Sequence, residues 1–165
     1  MKYTNDTVRR QDRLLAEDRA IELLRNNEYG VLSLYDKEND CAYGIPVNYV
    51  WDQKESIYIH CAPEGRKLRC IDENANVSFC VVGRTNLLPN KFTTEYESIV
   101  LEGKAHRNLS CEEKMKGLES ILDKFSSPFK TMGMKYTQKS FGRVEVLRID
   151  ITQWSGKCKS VPKSD

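Results

Sequence analysis

Apolar and polar positions alternate with a period of two along much of this chain, the spacing of half-buried strands. Residues 29–35, Tyr-Gly-Val-Leu-Ser-Leu-Tyr, predict a first strand. Residues 41–51 predict a second, with Ile45, Val47, Tyr49 and Trp51 on one face and Pro46, Asn48 and Val50 on the other. Pro46 has no N–H to give to a ladder, so this strand is expected at an edge, bulged or open on one side. After a tight turn over 52–55, residues 56–61 return as the partner in a hairpin. Ile57, Ile59 and Cys61 face one way, Tyr58 and His60 the other. Further strands are predicted at 77–82, 94–107 and 142–151.

Helices are predicted in three places. Leu14, Ala20, Ile21 and Leu24 give a partial stripe over 11–27. The loop Pro63-Glu64-Gly65 opens a helix of about eight residues carrying Leu68 and Ile71. Ser110 and Glu113 form a capping box for a helix that reaches about residue 125 and stops at Ser126-Ser127-Pro128. Residues 128–140 are ambiguous, with a short helix as one reading. Hairpins dominate and no strand–helix–strand alternation occurs. The expected fold is mainly β with flanking helices: an antiparallel barrel with helices at its side, not a doubly wound sheet. The whole chain, 1–165, reads as one domain, with flexible tails at about 1–10 and 158–165.

Composition narrows the function. The chain is 39% hydrophobic and 30% charged, with a net charge of only +2. That gives no global case for binding nucleic acid or an anionic membrane. Neither a secretory signal nor a membrane-length apolar run is visible, so the expected compartment is the cytoplasm. The six cysteines, at 41, 61, 70, 80, 111 and 158, contain no C-x-x-C pair. They read as reduced, mostly buried thiols and not as metal ligands.

The chemistry concentrates between Gly44 and Gly83. Gly65 permits a sharp turn, the helix start offers free N–H groups, and Arg66 and Lys67 add charge beside Cys61. Such a loop can seat a phosphate or another anion, or can be a solvated basic helix start. His60, as a neutral imidazole, can hydrogen-bond a ligand, move a proton near neutral pH, or serve the structure alone. Tyr49, Trp51, Tyr58, Tyr96 and Trp154 could wall a planar cofactor or fill the core. No nucleophile elbow, Ser/His/Asp ordering or Walker loop is present.

At these residues the chain resembles a known family. Ile45-Pro46-Val47-Asn48-Tyr49, the run from Ile57 to Leu68, and Val77-Ser78-Phe79-Cys80-Val81-Val82-Gly83 are similar to the 5-nitroimidazole-resistance family. So are Thr93-Thr94, Tyr96-Glu97-Ser98-Ile99-Val100, Gly103-Lys104-Ala105, and the ending from Ile149 to Ile151 with Trp154 to Lys157. The likeness spans about 10–157. That family belongs to the flavin-binding split-barrel proteins related to pyridoxamine phosphate oxidase.

The resemblance implies a split barrel of about six strands that forms a homodimer around FMN, with FAD or haem as alternatives. It implies that Pro46, Val47, Asn48 and Tyr49 meet the flavin ring or ribityl chain. It sets His60 beside the ring as the catalytic candidate. Cys61, Gly65, Arg66 and Lys67 would hold the phosphate, and Trp154 would reach the flavin or the partner subunit. The implied activity is reduction of small electron-poor molecules, nitroimidazoles among them. The alternatives are a non-catalytic flavin- or haem-binding module and a pyridoxamine-phosphate-type oxidase. Cys61 stands where serine is common, and Arg66 where histidine is common. The C-terminal substrate motif of the true oxidases is missing.

Overall fold

The protein is described by a computed structural model covering residues 1–162. Its long strands are β2 (Tyr29–Asp36), β3 (Cys41–Asn48), β5 (Ser56–Cys61), β6 (Asn76–Leu88), β7 (Thr93–His106) and β8 (Glu145–Lys159), with the two-residue strands β1 (Lys2–Tyr3) and β4 (Val50–Trp51). They form one sheet in the order β3-β2-β6-β7-β8-β5-β4, with β1 added alongside β8. Every pairing along that path is antiparallel. The two ends of the path, β3 and β4, are consecutive in the chain, separated by Tyr49 alone. The sheet therefore curls until its ends approach and closes through the covalent chain, not through a ladder. This is the split of a split barrel, and Pro46 lies on the strand that borders it.

Inward side chains fill the barrel. Leu32, Ile57, Ile59, Phe79, Val81, Ile99, Leu147 and Ile149 are essentially inaccessible. Each sits at alternate positions on its strand, as a period of two requires. Tyr49 and Phe79 meet edge to face with centroids 5.0 Å apart, worth about 0.5–1.5 kcal/mol beyond burial. The helix α1 (Glu17–Asn26) caps this core with Ala20, Leu23 and Leu24.

A second, smaller core lies outside the barrel. The helix α3 (Cys111–Phe125) lays Leu118 and Ile121 on Val50, Tyr58 and Val146. Gly117 makes this contact possible, since a Cβ there would come within 2.9 Å of the Tyr58 ring and 3.0 Å of Val146. Ser110 Oγ accepts from Glu113 N at 3.2 Å, as the capping box predicts. The Glu113 carboxylate does not return to the cap. It pairs with Arg148 of β8 and so ties α3 to the sheet.

Several boundaries differ from expectation. The strand predicted over 41–51 breaks at Tyr49, where the chain crosses the split. β6 continues past the predicted end at Val82, through a bulge between Val82 and Thr85, to Leu88. The final strand begins at Glu145 and runs on to Lys159, taking in residues expected to be tail. The first ten residues are not a loose tail either: Lys2 and Tyr3 pair with Gln153 and Trp154. The first helix starts only at Glu17, because residues around Leu14 are extended and Leu14 bridges to Lys157. Residues 130–140 form a full helix, α4 (Lys130–Ser140). The remainder of the expected C-terminal tail, 163–165, lies outside the described residues.

Candidate functional site

The loop 62–65 leaves the end of β5 and turns into the helix α2 (Arg66–Glu73). Gly65 has φ 128° and ψ 175°, a conformation that side-chain-bearing residues rarely adopt. The first free N–H groups of α2 follow it directly. Lys67 lies half-buried here against the Cys61 thiol, and its charge also reaches His60. Among the described residues no carboxylate forms an ion pair with Lys67. Burial pushes the Cys61 thiol up from its ordinary range, and Lys67 opposes that only in part, so Cys61 is a protonated, inert lining group. Lys67, Cys61 and Gly65 therefore lie together at the turn where an anion seat is expected.

Arg66 does something else. Its Nε donates to Asp36 Oδ2 at 2.6 Å and its Nη2 donates to Cys41 Sγ at 3.3 Å. Its guanidinium stacks over Tyr43 at 4.2 Å. Asp36 is almost fully buried at the end of β2, so its charge needs a partner. Arg66 thus clamps α2 to the β2–β3 hairpin. Hydrogen bonds from Asn39, then Arg66, hold the Asp36 carboxyl below the usual carboxylate range. A depressed carboxyl contributes stability above its unfolded value, near 3.8, that is lost as pH falls through its lower folded value. Asp36→Asn is therefore expected to lower the melting temperature at neutral pH, with the gap to the native protein closing in acid. A gap of constant size across that range would show that Asp36 carries no charge in the fold.

His60 points away from Cys61, as neighbours on a strand must. It is exposed near the end of β5, after four buried positions. There it enters a groove of about 480 Å³ between α3, α4 and the start of β8. Leu118, Ile121, Leu122 and Val144 line its floor, and Tyr136 and Arg143 stand at its edge. Burial first, then Lys67, lower the His60 pKa below 6.5, so the ring is neutral at pH 7 and can either accept or donate.

The remaining expected contacts divide. Among the described residues β3 pairs with β2 alone, which leaves its other edge toward the split. Pro46 is exposed, and Val47 and Asn48 are half-buried on that strand. Tyr49 corrects the expectation for its side chain: the ring is wholly buried and its hydroxyl donates to Leu24 O at 2.7 Å. Trp154 is corrected too. It is 2% exposed and packs edge-on against Tyr3 of its own chain, so it fills the core and does not reach out to a partner. Trp51 and Tyr58 are likewise core residues.

Two participants escaped the sequence reading. Arg107, at the end of β7, adds positive potential at Cys61 while its Nη1 donates to Asp72 at 2.6 Å. Nothing local in the sequence places Arg107 near residue 61; β8, between β7 and β5 in the sheet, brings them together. The second is the α3–α4 groove. The absence of any Asp or Glu from 124 to 144 was a visible signal of its character.

Residues 16–158 match the family model described as pyridoxamine 5'-phosphate oxidase. The chain belongs to that family. No protein of curated function matches it. Among solved structures, one similar fold is that of a candidate 5-nitroimidazole antibiotic resistance protein from Bacteroides thetaiotaomicron, at 21% identity, 88% and 86% coverage of the two chains and a TM-score of 0.69. Another is an FAD-binding protein from Mesorhizobium loti, at 21% identity, 90% and 97% coverage and a TM-score of 0.63. A third is an FAD- and haem-binding protein from Mycobacterium smegmatis, at 15% identity, 94% and 77% coverage and a TM-score of 0.68. Family and fold make this a flavin-type split barrel. Among the described residues no helix is long and apolar enough to cross a membrane, and no group of side chains could hold a metal ion.

Proposed function

We propose that the protein is a homodimeric flavoprotein that reduces small electron-poor molecules, nitroaromatics and nitroimidazoles among them. The observation that carries this reading is Lys67. It is a cation without a carboxylate partner among the described residues, set beside Cys61 at a positive-φ glycine turn, on the split of a pyridoxamine 5'-phosphate oxidase fold. That donor set suits a flavin phosphate, with the free edge of β3 at Pro46, Val47 and Asn48 available for backbone contacts to the ring. A seat with one free cation, Lys67, among the described residues is read as a site for the single phosphate of FMN, with FAD as the alternative.

When bound, the flavin supplies the electron transfer. The chain's own residues do the rest. Lys67 and the N–H groups opening α2 hold the anion. His60 orients the substrate or moves a proton to it. Arg66 keeps the helix start where Lys67 is useful.

Dimerisation is supported by the outer face of the sheet. Pro46, Val31, Cys80 and Val100 stand opposite one another in a row across β3, β2, β6 and β7. Tyr29, Tyr35 and Val82 extend it, with Val82 56% exposed. An apolar stripe of this breadth on a sheet is what a partner covers. Sedimentation is expected to give a dimer, and a cofactor-loaded monomer would contradict it.

The deciding experiment is the visible spectrum of the purified protein, followed by identification of the extracted cofactor. The visible absorption bands of an oxidised flavin are expected. A colourless protein that takes up neither FMN nor FAD would sink the reading. A Soret band without flavin would replace it with a haem-binding one.

A further inference from the structure

The groove beside His60 is apolar on its floor and cationic at its rim. Arg143 is exposed at that rim. Among the described residues its guanidinium has neither an ion-pair nor a hydrogen-bond partner. Arg10, Arg19, Arg66, Arg69, Arg107 and Arg148 each meet a carboxylate. Among the described residues no acidic one lines the groove. Tyr136, 70% exposed, adds an aromatic face beside Arg143.

We infer that the groove selects planar molecules bearing one negative charge: an aromatic or heteroaromatic ring with a carboxylate. The ring lies on Leu118, Ile121 and Val144 with Tyr136 beside it, and the carboxylate meets Arg143. A guanidinium matches a carboxylate in shape as well as charge, with two parallel N–H donors. An uncharged ring of the same size gains the apolar contact but not that pairing. The volume, about 480 Å³, suits a small molecule and not a polymer. This substrate class rests on the reading of His60 as the group that faces the substrate.

The test compares 4-nitrobenzoate with 4-nitrobenzamide, two electron-poor rings that differ in charge. Binding to the protein as purified is measured by calorimetry. The benzoate is expected to bind about tenfold more tightly, the yield of one charge-assisted pair in a half-open groove. Arg143→Gln should abolish the preference, chiefly by weakening the benzoate, and Arg143→Lys should retain part of it. Equal affinities in the native protein overturn the inference, and so does a preference that survives in Arg143→Gln. Because binding is read without turnover, a protein that lacks flavin can still show the preference, and a working flavoprotein can still lack it.

Discussion

His60→Gln is expected to keep its flavin and to reduce a nitroaromatic roughly 10²–10⁴-fold more slowly, the range for losing a positioned acid–base group. The two halves of that expectation come from one structural fact. His60 and Cys61 are neighbours on β5 and face opposite sides of the strand. Cys61 lies beside Lys67 at the proposed anion seat, whereas His60 opens into the α3–α4 groove. Removing the imidazole therefore leaves the seat in place. The pH profile identifies the role. Burial and Lys67 lower the His60 pKa below 6.5. If the ring donates a proton, the rate rises as pH falls through that lowered value, and the rise disappears in His60→Gln. If the neutral ring is needed to orient the substrate, the rate falls over the same interval. A profile and rate unchanged by the substitution would leave His60 a bystander.

The sequence displayed the β architecture through its period of two, and the edge position of β3 through one residue, Pro46. The short helix after Gly65 and the cap at Ser110 were legible because their signals are local. What was not legible depended on tertiary placement. The pattern over 41–51 reads as one strand because Tyr49 keeps the alternation, yet that residue carries the chain across the split. Trp154 was expected to reach the flavin or a partner on the resemblance alone, but β1 covers it with Tyr3. Arg66 and Lys67 looked equivalent as adjacent cations. Only the fold brings the buried Asp36, thirty positions away along the chain, against one of them.

That inequality sets the second expected result. Lys67→Ala should weaken flavin binding by about 10- to 150-fold, the loss of one charged phosphate contact. The fold should hardly change, because Lys67 is only half-buried and has no carboxylate partner among the described residues. Arg66→Ala should do the reverse. It strips the partner from the buried Asp36 and frees α2 from the β2–β3 hairpin, so stability falls first and flavin affinity follows only as the seat loosens. Removing both residues at once would confound the two effects. Flavin dissociation constants and melting temperatures of the separate variants resolve them. Flavin held as tightly by Lys67→Ala as by the native protein would move the phosphate away from this turn, with Arg107 as the remaining cation whose field reaches Cys61. An Arg66→Ala protein that melts normally but releases flavin would reverse the assignment of clamp and anchor.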